Sequence, residues 1–196
     1  MSLTRVGGRN DGGIDLQGWW WLPGLGNVKG PQWESPDGII RRRIRVLAQC
    51  KAEKKKLGPH YIREMEGVLA RLKLGGEEPI VGVFVSQSPF TRSAILRAFS
   101  SSLPFFLLHL PPETQEEVDE TDQGSEEGAH EGLSSHIGAA VWNPALGASN
   151  GLLQGRIEVR WERSFDGLGR PGLWFKGQKL QGFIPPKLDF ETSPDR

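Results

Sequence analysis

Asp15, Gln49 and Lys51 are the side chains whose types and spacing best suit chemistry: a carboxylate, an amide and an amine, the last two on alternate positions of one stretch. In an extended chain successive side chains face opposite ways, so Arg45, Gln49 and Lys51 share one face while Ile44, Val46, Ala48 and Cys50 share the other. By the same alternation Ile14 and Leu16 should turn toward a core, with Asp15 and Gln17 turned away from it. Paired side by side, two such strands bring acid, amide and amine to one side of a sheet. That set suits metal-assisted hydrolysis of a phosphodiester. Mg²⁺ (or Mn²⁺) takes oxygen ligands, here the Asp15 carboxylate and the Gln49 carbonyl. The Lys51 ammonium would neutralise charge on the phosphate and assist the attacking water.

The run Asp11-Gly12-Gly13-Ile14-Asp15-Leu16, followed after a gap by Gln49-Cys50-Lys51, resembles the Mrr-type branch of the PD-(D/E)xK nuclease superfamily. A longer set adds Gly7-Gly8, the run from Gly18 to Trp21, Leu57-Gly58-Pro59 and Arg63-Glu64. With it the chain is similar to the fungal mitochondrial proteins called required for respiratory growth. The resemblance implies a mitochondrial protein and an α/β fold of restriction-endonuclease-like type. In that fold a mixed sheet has antiparallel Asp and Gln-x-Lys strands, followed by helix, parallel strand, helix and strand, and is flanked by helices. It also implies DNA, mitochondrial DNA by compartment, as the substrate, with Asp15 and Gln49 as metal ligands and Asp15, Gln49 and Lys51 as the catalytic set. The family places a helix with an acidic residue ahead of the glycine loop, and an imported mitochondrial protein usually begins with an Arg-rich presequence. Met1-Ser2-Leu3-Thr4 leads almost directly into the motif, so this sequence reads as lacking both.

The elements that must position these residues can be read in order. Leu3 to Val6 forms a short strand entering the glycine turn, which feeds the Asp15 strand as a hairpin. Residues 23–38, rich in Pro and Gly, read as a loop. Pro59 opens a helix running to about Lys73, with Ile62, Met65, Leu69 and Leu72 as its apolar stripe and Gly75-Gly76 as its end. Ile80 to Val85 is continuously apolar, as a buried parallel strand is, and Phe105 to Leu110 is the next strand after a helix from Phe90 or Thr91 to Phe99. That alternation predicts a right-handed crossover. Ser88 is the expected cap of the second helix. Ile137 to Trp142 and Arg156 to Trp161 read as two closing strands.

A length of 196 residues suits one domain, expected over 1–162, with a Gly/Pro-rich tail over 163–196. The net charge of zero conceals a division: residues 1–110 carry +7, residues 111–135 carry −9 with no Lys or Arg, and residues 136–196 carry +2. The acidic stretch lacks apolar periodicity and is expected to be a disordered insertion, and a place where a protein partner could be held. The basic remainder favours a polyanion. Arg9, Arg42, Arg43, Lys54, Lys55, Lys56 and Arg63 are the candidate phosphate contacts. Glu64 or Glu66 is a candidate helper near the site, and the run Trp19, Trp20, Trp21 is either packing or a stacking platform for unpaired bases.

The lone cysteine, Cys50, excludes an internal disulfide and a cysteine-built zinc site, and its place on the apolar face makes it a small core residue. The four histidines show no ligand spacing. No apolar run approaches the ~20 residues a membrane helix needs, so no membrane insertion is expected. Two readings other than hydrolysis stay open. One is a catalytically silent nucleic-acid-binding protein on the same fold, because Gln49 brings no negative charge. The other is an assembly factor for respiratory function.

Overall fold

Residues 1–8, 13–24, 32–75, 78–112, 137–163 and 169–186 are described by the computed structural model. Arg9, Asp11, most of the acidic stretch at 111–135 and residues 187–196 lie outside the described residues. The strands are β1 (Ser2–Arg5), β2 (Leu16–Pro23), β3 (Gln32–Glu34) and β4 (Ile40–Lys51), then β5 (Ile80–Ser86), β6 (Phe105–His109) and β7 (Ala139–Trp142). Helix α1 (Pro59–Leu74) precedes β5, α2 (Arg92–Ser100) precedes β6, and α3 (Pro144–Gly147) follows β7. β8 (Ile157–Arg163), β9 (Gly169–Phe175) and β10 (Gln178–Lys179) complete the described elements.

Seven strands make one mixed sheet in the order β1-β2-β4-β5-β6-β7, with β3 on the early half of β4. β1, β2 and β4 are mutually antiparallel, β4, β5 and β6 are parallel, and β7 closes the edge antiparallel to β6. The expected order of antiparallel pair, helix, parallel strand, helix and strand is therefore present.

Both long helices pack on one face. α1 opens at Pro59, where a missing N–H costs nothing in the first turn, and buries Ile62, Met65 and Leu69 at helical spacing against Leu47, Phe84 and Phe105. α2 adds Ala94 and Ala98 to the same cluster. Its cap is Thr91, whose Oγ1 accepts the Ala94 N–H at 3.2 Å. Ser88, expected in that role, instead donates to the Glu53 carbonyl, because the loop after β5 turns it back toward the end of β4.

The opposite face holds Trp20, Leu22, Ile44, Val46, Ala48, Val81, Val83 and Phe106. Its cover is not a helix layer but α3 with the small antiparallel sheet β10-β9-β8, from which Ile157, Val159, Leu173 and Phe175 pack inward. The strand expected from Arg156 to Trp161 is β8, which runs through position 163, where a tail was expected to begin, and pairs with β9 in the small sheet rather than with the main one. Residues 23–38 likewise contain β3, whose Trp33 packs edge-on against Trp21 at 4.4 Å between ring centroids.

Two buried polar residues tie these layers together. Asn143 Oδ1 accepts the N–H groups of Phe105 (2.9 Å) and Leu146 (3.1 Å), while its Nδ2 donates to the carbonyls of Ala98 (2.9 Å) and Leu103 (2.8 Å). Arg41, 2 % exposed, donates to Ser35 Oγ (2.9 Å), Asp37 Oδ2 (2.6 Å) and the Gln181 carbonyl (3.0 Å), with its guanidinium 5.3 Å from the centre of the Phe183 ring.

Candidate active site

The ends of β4 and β5 and the turn that enters β2 meet at one corner of the main sheet. The β2–β4 register sets Leu16 opposite Ala48. One residue earlier the strand breaks its regularity. In a regular strand a residue's N–H and C=O point to the same neighbour. At Asp15 the N–H donates to Ala48 O on β4 (2.9 Å), while the C=O accepts from both Val6 (2.9 Å) and Gly7 (3.2 Å) on the β1 side. The pleat is lost there. Ile14 consequently packs into the cluster under the helices and Leu16 into the opposite one, not into a shared core as strict alternation predicts.

The Asp15 carboxylate takes up the ladder where the strand lets go of it, since Oδ2 accepts the Cys50 N–H at 2.7 Å. It thus stands where a strand carbonyl would, in line with β4. Gln49 is 4 % exposed and its amide lies against Gly13: a Cβ there would come within 2.6 Å of Nε2. Gly13 has φ +81°, a left-handed conformation that costs glycine little and a side-chain-bearing residue more. Glycine is needed at this position for both reasons.

Lys51, half-buried at the end of β4, carries its ammonium 5.0 Å from the centre of the Tyr61 ring on α1. No carboxylate among the described residues pairs with it, Asp15 included. The Tyr61 hydroxyl donates to the Glu53 carboxylate, and this bond, with burial and the Glu53 and Glu64 charges, raises the phenol above its ordinary pKa. The Glu53 carbonyl in turn accepts from Ser88 Oγ. Ser86, 1 % exposed, bonds to Ser88 through its hydroxyl, and the Gln87 N–H donates to Lys51 O at 3.0 Å. Tyr61 and Glu53 were missed in the sequence. The signal available was Lys51 two residues before Glu53, with a tyrosine in the first turn of the next helix.

Cys50 is exposed, not a core residue, because the cover over Ala48 stops short of the strand end. Partial burial and the Asp15 charge raise its thiol pKa. Among the expected phosphate contacts, Lys54, Lys55, Lys56 and Arg63 are exposed around the end of β4 and the start of α1. Arg43 is already engaged, bonded to Glu78 at 2.7 Å and lying 4.0 Å from the centre of the Trp19 ring. Arg42 is half-buried on β4 with contacts of its own. Glu66 pairs with Arg97 across the helices, which removes it from the site, while Glu64 is exposed.

Among the described residues no group of three or more His, Cys, Asp or Glu side chains converges as a ready-made metal cage. Asp15 and Gln49 supply oxygen donors with one negative charge. That donor set fits Mg²⁺, which keeps several waters and takes its remaining ligands from substrate phosphates rather than from protein alone.

No solved structure matches the chain. An uncharacterized mitochondrial protein of Schizosaccharomyces pombe is 27 % identical over 110 residues, 56 % of this chain and 37 % of that protein. The chain therefore spans well under two thirds of that relative's length. Residues 1–134 match the family described as Required for respiratory growth protein 7, a stretch that holds β1 through β6 and every residue of the corner just described. The chain belongs to the Required for respiratory growth protein 7 family and is a mitochondrial protein tied to respiratory growth.

Proposed function

We propose that the protein is an Mrr-like nuclease with a restriction-endonuclease-like fold, hydrolysing phosphodiester bonds of mitochondrial DNA with Mg²⁺ or Mn²⁺. The observation that carries the reading is Lys51: a half-buried ammonium resting on an aromatic ring, without an acidic partner among the described residues, at the strand end where Asp15 docks. A cation held that way is available to an anion from outside. The exposed Lys54, Lys55 and Lys56 in the loop after β4, and Arg63 early in α1, add positive charge for the phosphate backbone.

Asp15 and Gln49 would hold the ion, which when bound neutralises phosphate charge and makes a bound water more acidic. Asp15 is oriented by the Cys50 N–H at Oδ2, so Oδ1 would be the oxygen that takes the ion. Gln49, confined beneath Gly13, presents its amide from a fixed place. Lys51 binds a phosphate oxygen and stabilises the charge that develops on it. Tyr61, held by Glu53, keeps the lysine from swinging away. The direct test is cleavage of single- and double-stranded DNA in Mg²⁺ by the wild type and by Lys51→Ala. Loss of at least 100-fold in rate is expected, and an active protein indifferent to the substitution defeats the assignment.

A second reading, a nucleic-acid-binding protein without catalysis, is favoured by one feature: Gln49 stands where a charged acid would bind the ion more strongly, leaving Asp15 with the whole task. Calorimetry with Mg²⁺ and Mn²⁺ separates the two, because DNA affinity without ion binding supports the silent version.

A further inference from the structure

On the helix side of the sheet, beyond the edge of α1, β1, β2 and β4 leave a cleft of about 300 Å³ lined by Ser2, Thr4, Gln17, Trp19, Arg45 and Glu78. The register explains this lining, since Trp19 lies opposite both Ser2 and Arg45, and Gln17 opposite Thr4. Two of the three charges near the cleft cancel, Arg43 being bonded to Glu78 at 2.7 Å. Arg45 remains. Among the described residues its guanidinium has no hydrogen-bond or ion-pair partner. The Trp19 ring is held by the Arg43 guanidinium stacked 4.0 Å from its centre, so an aromatic surface is already fixed beside an unpaired cation. The volume is at the small end of ligand pockets. It has room for about one nucleotide.

We propose that this cleft binds an unpaired nucleotide of a DNA strand, with its base stacked on Trp19 and its phosphate on Arg45. Gln17 and Thr4 supply polar groups for the base edge. A base inside a duplex has both faces covered by its neighbours, so only an unstacked base can lie on the indole. Trp19 is four residues on from Asp15, which lies just before β2, at most about 13 Å at strand rise, so one strand can occupy the cleft and the corner together. The inference rests on the nucleic-acid reading above and makes it more specific: the substrate carries a single-stranded segment beside the phosphate to be cut.

The test is fluorescence anisotropy of a labelled single-stranded oligodeoxynucleotide, without divalent ions, against the full chain. Trp19→Ala should weaken binding about tenfold or more, and Arg45→Gln should lower the salt slope by about 0.7. An oligonucleotide with abasic sites should bind the wild type as weakly as the intact one binds Trp19→Ala, and should not distinguish the two proteins. A blunt duplex of equal length should bind more weakly than the single strand. If Trp19→Ala fails to fold, as judged by circular dichroism, the abasic comparison with wild type decides alone. Equal affinity for abasic and intact strands overturns the proposal. Cleavage in Mg²⁺ with no dependence on Trp19 sinks this cleft and leaves hydrolysis standing. Trp19-dependent binding without any cleavage does the reverse, and a protein that binds no single strand ends the proposal outright.

Discussion

The Asp15 carboxylate accepts the backbone N–H of Cys50 at 2.7 Å, so the acid expected to bind metal also closes the β2–β4 ladder. The two roles separate by substitution. Asp15→Asn keeps an oxygen that can accept this bond, and its melting temperature should stay within about 2 °C of wild type while Mg²⁺-dependent hydrolysis falls at least 100-fold. Asp15→Ala should lose activity and also about 1 kcal/mol of stability, since a donor loses its partner. Thermal melts beside a cleavage assay check both.

Asn143 satisfies two N–H groups and two carbonyls from β6, α3 and the end of α2. Alanine there leaves several buried groups unpaired at once. Asn143→Ala should cost about 2–4 kcal/mol, read as a lower urea midpoint with an unchanged slope. A loss below about 1 kcal/mol would mean that water replaces the amide.

Gly82 lies in β5 where α1 meets the sheet. A Cβ at this position would stand 2.9 Å from both Leu69 Cδ1 and Phe105 Cε1. Gly82→Ala should destabilise by about 1–3 kcal/mol through overpacking. Adding Leu69→Val should recover part of that loss, which a double-mutant cycle measures.

Asp37 has its carboxyl pKa lowered by the Ser35 hydroxyl first, then by the Ile39 N–H and the buried Arg41, against an opposing burial effect. An unfolded aspartate titrates near ~3.9, so folding favours the ionised form. The stabilisation is present above about pH 4 and is lost as pH falls through the depressed folded value. The melting-temperature gap between wild type and Asp37→Asn should therefore narrow as pH is lowered from about 5 to about 3. A constant gap would show that the carboxylate charge contributes nothing.

The local signals in the chain were read correctly where a short window holds the whole cause. Pro59, the stripe of Ile62, Met65 and Leu69, and the glycine after Leu74 are sufficient to write α1. The apolar run at Ile80 needs no partner to be recognised as a buried strand. Alternation along β4 also put Ile44, Val46 and Ala48 on one apolar face, as the cluster they share requires. It failed at Asp15, because the irregular pairing that turns Ile14 under the helices depends on carbonyls and N–H groups from both neighbouring strands. It failed for the burial of Cys50, because the face of a strand says nothing of how far its cover extends.

By itself the sequence determined the two helices and the buried strand between them, because periodicity and turn residues are properties of neighbours in the chain, while the family resemblance implied the antiparallel-then-parallel plan and the pairing of the Asp15 and Gln49-x-Lys51 strands. Only the tertiary structure decided which arginines are available to a ligand. Arg41 is consumed by Ser35, Asp37 and Gln181, and Arg43 by Glu78 and Trp19, while Arg45 is left to face a cleft. The reason is physical: the charge of a side chain is written in its own letter, but whether that charge is neutralised depends on residues from other elements that only the closed sheet brings within reach.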